Sequence, residues 1–131
     1  EKMAAFMDKQ YPAKPLLAFD VADDTANTHS VTSPYDRRKT VGSVQWTSKE
    51  QATKALDAAW AAFPRWDATP VAERAAIVRR LGDLMEEHMA ELMALCSREG
   101  GKLLTDGVDE IREAVDFCRF YAMRAEEDFG E

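Results

Sequence analysis

The amino-acid sequence predicts a mainly α chain: three helices at about 48–63, 70–99 and 106–128, with a short β-ribbon at about 31–46. Three observations predict it. From Ser48 onward, apolar residues recur three and four apart, the spacing of one helix face. Proline and glycine stand where such helices start and stop. The one run that alternates with period two, residues 40–46, comes before all of them.

Residues 1–30 carry little periodicity. Pro12 and Pro15 break any early helix, and Asp23-Asp24-Thr25-Ala26-Asn27-Thr28 has the composition of a loop. The segment is expected to be partly disordered or a linker. Residues 31–33 are extended up to Pro34, and Tyr35-Asp36-Arg37-Arg38 forms a turn. In 40–46, Val41, Ser43 and Gln45 oppose Gly42, Val44 and Trp46, a β-branched alternation that suits a strand. Two short strands do not stand alone in water, so a helix or partner sheet must support them.

The first helix opens on a capping box, with Thr47 as N-cap and Glu50 three residues on. Its stripe is Ala52, Ala55, Leu56, Ala59 and Phe63, and Pro64 stops it. The second starts at Thr69 with Pro70 in the first helical position, where a missing N–H costs nothing. Its stripe is Ile77, Leu81, Leu84, Met85, His88, Leu92, Leu95 and Cys96, and Gly100-Gly101 supplies a left-handed end. As one helix it is about 45 Å long. The third carries Val108, Ile111, Ala114, Val115, Cys118, Tyr121, Ala122, Ala125 and Phe129, with Phe117 at the edge. That is about half its circumference, wider than the stripe of an ordinary surface helix. The second and third helices are expected to form an antiparallel pair joined at Gly100-Gly101.

The 131 residues suffice for one ordinary domain. Acidic residues outnumber basic ones 24 to 17, for a net charge of -7. That disfavours nucleic acid and anionic membrane surfaces, which demand clustered Lys and Arg. Cys96 and Cys118 make no CxxC pair or disulfide framework, which favours a reduced, cytoplasmic setting. No apolar run reaches the roughly 18 residues of a membrane span. Because the chain begins at Glu1 and not Met, its start is expected to be a cloning or processing boundary.

The candidate chemistry is sparse. Gly100-Gly101-Lys102 fails the phosphate-loop pattern, because Cys96 and Leu103 occupy the places of its first Gly and its Ser/Thr. Both cysteines fall on apolar stripes, where a thiol is inert. His29 and His88 have no second ligand at metal spacing, and Met85 replaces the Glu of a Glu-x-x-His pair. Met85, Met89 and Met93 form a core or interface stripe. Arg124, Glu126, Glu127 and Asp128 form a solvated face. Glu113 stands out: it lies beside Phe117 and Phe120, with Asp109 and Asp116 at i−4 and i+3. Like charges at that spacing weakly disfavour a helix, so local stability does not explain them.

Several stretches carry a family likeness: Ser33-Pro34-Tyr35-Asp36, Val41-Gly42-Ser43-Val44, Glu99-Gly100-Gly101-Lys102 and Arg112-Glu113-Ala114-Val115-Asp116-Phe117-Cys118-Arg119-Phe120-Tyr121-Ala122. Over residues 31–130 the chain resembles the amino-terminal part of an aldehyde dehydrogenase. The likeness is nearest to the glutamate-semialdehyde (1-pyrroline-5-carboxylate) dehydrogenase module of bacterial proline-utilisation proteins. The resemblance implies that 31–131 is the helical portion of an α/β NAD-binding domain, with residues 1–30 as a linker or irregular segment. It implies NAD in the complete enzyme, and FAD only where the parent also carries a proline dehydrogenase. In the family, a cysteine thiolate attacks the aldehyde, hydride passes to the nicotinamide, and a glutamate-activated water hydrolyses the thioester. The family's nucleophile, oxyanion-hole Asn and general base all lie beyond residue 131, so no catalytic or cofactor-binding residue is assigned. Glu113 matches the Glu of a Glu-x-x-Asp-Phe context that reaches the aldehyde-binding pocket.

The chain alone is therefore expected to be an inactive piece whose partner is the remainder of the dehydrogenase. Its uncovered helix faces are expected to drive self-association. The alternative is a free-standing helical protein-interaction module.

Overall fold

The computed structural model describes residues 2–130. They group into two compact units: residues 8–68, and residues 69–130 together with 2–7.

The first unit holds β1 (Tyr11–Ala13), β2 (Thr28–Thr32), β3 (Thr40–Gln45) and α1 (Lys49–Asp67). The predicted ribbon is present as the antiparallel pair β2–β3, with an irregularity between Val31 and Thr32. Strand β1 departs from the expectation of an irregular N-terminal segment. It adds to the other edge of β3 in parallel, Tyr11 opposite Gly42, giving the order β1-β3-β2. Gly42 permits this, because a Cβ there would sit 2.0 Å from the Tyr11 carbonyl oxygen. Val41 and Gln45 are buried. The Gln45 amide donates from Nε2 to the Ala22 carbonyl at 2.9 Å, and its Oε1 accepts from the Asp24 N–H at 3.1 Å. A loop of unstructured composition is thus tied to the sheet by one buried amide, which leaves neither polar end unpaired.

The N-cap of α1 is Ser48, one residue later than predicted. Its Oγ accepts from the Gln51 N–H at 3.2 Å, and Gln51 Oε1 accepts from the Ser48 N–H at 2.8 Å. Ser48 has the extended backbone that aims a hydroxyl back at the first turn, and Gln51 rather than Glu50 sits at N3. Pro64 does not stop the helix, which runs on to Asp67. A proline this near the end removes one bond of the ladder, and the turn is completed when Ala68 N–H donates to the Pro64 carbonyl at 3.2 Å. No α1 residue is buried.

The second unit holds a short 3-10 helix (Lys2–Phe6), α2 (Val71–Glu87), α3 (Met89–Gly100) and α4 (Leu104–Phe129). The predicted second helix is two helices, broken at His88, whose φ of -98° and ψ of 14° leave the helical region. A straight helix of that length parts from any partner it crosses at an angle. Both α2 and α3 pack on α4, and the break lets both do so. Pro70 is the N-cap of α2 rather than its first helical residue. Gly101 ends α3 in the left-handed region, φ 68°, as its sequence predicts. Helix α4 starts two residues before the predicted Asp106, and Leu103 N–H donates to Asp106 Oδ2 at 3.4 Å.

Small residues mark the contact line. A Cβ built on Gly82 would lie 3.2 Å from Cys118 Cβ, and one on Gly107 would lie 3.7 Å from Met93 Cγ. Ala75, Ala94, Ile111, Val115 and Ala122 fill the core between. Ion pairs link Arg79 to Glu126 and Glu86 to Arg119. As numbers fall from Met93 to Arg79, their partners rise from Gly107 to Glu126, so the pair is antiparallel, as expected. The predicted stripe of Ile77, Leu81 and Leu84 is not this contact; all three are exposed. Close approach selected the face with Ala75 and Gly82, because helix backbones can near each other only where side chains are small. The buried Arg98 donates from Nη1 to the Phe6 carbonyl at 3.0 Å, docking the 3-10 helix.

Candidate functional site

Helix α4 carries the candidate site. Asp109, Arg112, Glu113, Asp116 and Phe117 line one open depression on its outer face. The residues fall at i, i+3, i+4, i+7 and i+8, which the helix brings to one side. Glu113 is exposed there, and Phe117 continues into an exposed aromatic group. Its ring lies 5.9 Å from Tyr121, which meets Phe120 edge-on at 5.3 Å. Three carboxylates, one guanidinium and an aromatic wall can hold a cationic group beside an apolar body.

A second depression of about 200 Å³ adjoins it between α2 and α4, lined by Glu86, Met89, Ile111, Arg112, Val115, Asp116 and Arg119. Arg112 and Asp116 belong to both. Across it, Arg119 grips Glu86 with two bonds, 3.3 Å from Nη1 and 2.6 Å from Nη2. The Glu86 carboxylate raises the Arg119 guanidinium above its ordinary value, and Asp83 and Asp116 add to the effect. Farther along, Arg79 forks onto Glu126; the bond raises the Arg79 guanidinium and lowers the Glu126 carboxyl. Glu126 is thus an interhelical partner, whereas Arg124 pairs locally with Glu127 and Asp128. Sequence spacing missed both cross-helix pairs, since their members stand 33 and 47 residues apart.

The remaining candidates separate. Cys96 and Cys118 are free, half-buried thiols on α3 and α4. His88 marks the helix break, 3.8 Å from Glu91, and His29 rests on Trp46. No group of three or more His, Cys, Asp or Glu among the described residues could hold a metal. At the Gly100-Gly101-Lys102 corner, Gly101 N–H donates to the Ser97 carbonyl and Lys102 N–H to that of Cys96, each at 3.2 Å. The Lys102 ammonium pairs with Glu110, which raises it above its ordinary value. The corner's glycine thus caps a helix and its lysine pairs with a carboxylate.

The aldehyde dehydrogenase family model matches residues 21–131. This chain belongs to the aldehyde dehydrogenase family. It is 37% identical over 122 residues to the bifunctional protein PutA of Escherichia coli (strain K12), covering 93% of this chain and 9% of that one. Among solved structures it is similar to proline utilization A from Bdellovibrio bacteriovorus inactivated by N-propargylglycine. The TM-score is 0.88 at 28% identity, over 96% of this chain and 14% of that one. It is also similar to 1-pyrroline-5-carboxylate dehydrogenase from Thermus with bound NAD: TM-score 0.83, 27% identity, over 93% of this chain and 24% of that one. The helices and small sheet described above are therefore part of an aldehyde dehydrogenase fold. The chain spans less than a quarter of the length of each of these relatives. No helix among the described residues is long and apolar enough to cross a membrane.

Proposed function

We propose that this chain is the amino-terminal helical part of an NAD-dependent L-glutamate γ-semialdehyde dehydrogenase that feeds proline carbon to glutamate in the cytoplasm. The observation that carries this is the likeness to PutA and to 1-pyrroline-5-carboxylate dehydrogenase over more than nine-tenths of the chain. The overall reaction converts aldehyde, NAD and water to carboxylate, NADH and protons. In this reading the thiolate, the oxyanion hole, the water-activating base and the NAD site come from the remainder of the dehydrogenase, and the helices here cover a face of its nucleotide-binding sheet. FAD belongs to the reading only where the parent also carries a proline dehydrogenase. Residues 1–30 lead into the dehydrogenase portion.

Within it, Glu113 shapes the aldehyde pocket. The substrate carries one ammonium and one carboxylate. A carboxylate side chain has only acceptors, so it pairs with the ammonium. Phe117 beside it suits the aliphatic body.

The chain by itself has no turnover and associates through its bare apolar faces. Purified chain mixed with glutamate semialdehyde and NAD is expected to yield no NADH, whereas sustained NADH formation overturns the reading. Sedimentation is expected to show self-association; a compact, rigid monomer contradicts that half of it. The exposed Leu56, Trp60, Phe63 and Trp66 of α1 also suit a free-standing interaction module, but the family match favours the first reading.

A further inference from the structure

We propose that Arg119 is a positioning residue for Glu113, acting by fixing the roll of α4 against α2. The proposal rests on the reading of Glu113 given above. Buried Ile111, Val115 and Ala122 and two forked ion pairs, Arg79 to Glu126 and Arg119 to Glu86, hold these helices together. The close approach of Gly82 to Cys118 and Val115 sets their separation. The forked bond from Arg119 to Glu86 is directional, because a planar guanidinium meets a carboxylate in one geometry. It lies one helical turn along α2 from Gly82 and nearer Glu113 along α4 than the Arg79–Glu126 fork, and there it acts as a stop against rotation.

The stop is coupled to the site. Arg119 lies six residues beyond Glu113 on α4, a rise of about 9 Å. Between them, Arg112 and Asp116 line both the Glu113 depression and the groove that Arg119 crosses. Arg119 also stands among Glu86, Asp83 at 3.8 Å, and Asp116. Without it, three carboxylates on two facing helices repel each other, with Arg112 left lining that groove. The groove then widens, α4 rolls, and Glu113 turns from the direction it takes now. Ammonium binding suffers first, and groups that do not touch Glu113 are spared.

The test uses the complete dehydrogenase to which the proposed function assigns this chain, with two aldehydes: glutamate semialdehyde, and the same aldehyde acid without its amino group. Arg119→Met is expected to raise KM for the amino-bearing aldehyde about two- to fivefold, the range of a forked surface pair. It should leave kcat and the KM of the amino-free aldehyde unchanged. The exchanged pair Glu86→Arg with Arg119→Glu is expected to recover the normal KM. An equal KM rise for both aldehydes overturns the proposal, since that marks general damage. So does an unchanged KM in Arg119→Met when Glu113→Gln raises it for the amino-bearing aldehyde alone. If Glu113→Gln itself fails to discriminate between the aldehydes, the reading of Glu113 falls, and the role of Arg119 falls with it. If Arg119→Met does not fold, the exchanged pair decides: recovery supports the proposal, and a folded exchange with the selective KM rise overturns it.

Discussion

Helices α1 and α4 are both rich in apolar residues, yet they use them in opposite ways. Helix α4 buries Ile111, Val115 and Ala122 against α2 and α3, and keeps its larger aromatics outside. No residue of helix α1 is fully buried; Trp60 is 80% exposed and stacks on Phe63, 6.2 Å away. What orders α1 is largely local: the Ser48–Gln51 capping box, a run of alanines with high helix propensity, and the Lys54–Phe19 contact with the loop between β1 and β2. What orders α4 is tertiary packing. Apolar content therefore does not rank the helices by burial. The small residues do, because they set how near a partner backbone can come.

The sharpest way to break this contrast is Gly82→Leu. A side chain where a Cβ already meets Cys118 at 3.2 Å must push the helices apart. The expected cost is about 2–3 kcal/mol, read by thermal or urea unfolding followed by circular dichroism. A smaller loss would mean the α2–α4 contact is looser than described. Next is Ser48→Ala, expected to cost about 1 kcal/mol in the order of α1, read as lost helicity and faster amide exchange in its first turn. If neither changes, the local account of α1 is wrong.

Arg79→Met has a smaller effect with a distinctive pH dependence. The Glu126 carboxyl is held below its ordinary value by Arg79, and Arg79 stays charged throughout. The pair therefore contributes above the ordinary carboxylate range, and its contribution is lost as pH falls through the depressed Glu126 value. The melting curves of Arg79→Met and the parent are expected to differ at neutral pH and to converge in acid. A constant difference at every pH argues against the pair. Smallest is Trp60→Ala, expected to change stability by no more than about 0.5 kcal/mol, since that ring is 80% exposed and stacks on Phe63 of its own helix. A large loss in that variant would show that α1 is covered in solution.

Much of this was legible in the sequence. Gly101 announces the end of α3, and the alternation around Val41 announces β3. The Ser/Gln box lay one residue from where Thr47 and Glu50 suggested. The larger misses share a cause: they depend on partners distant in the chain. Strand β1 is three residues long with a proline inside, and exists because Gly42 admits it. The break at His88 carries no proline or glycine signal. The sequence points to the wrong face of α2 because Ile77, Leu81 and Leu84 weigh more on a hydrophobic scale than Ala75 and Gly82. Family likeness and acidic neighbours mark Glu113 in the sequence, and the helix gathers those neighbours beside it. The guanidinium bridges beside it could not be seen before α2 and α4 were laid side by side.

Strand β1 has one more consequence. Open sheet borders invite foreign strands, and that is how many proteins begin to form fibrils. Here the outermost strand on one border contains Pro12, which has no N–H to offer a newcomer. The opposite border is kinked between Val31 and Thr32. Both rims of this small sheet thus resist zippering, a safeguard suited to a polypeptide whose helices leave so much greasy surface in view.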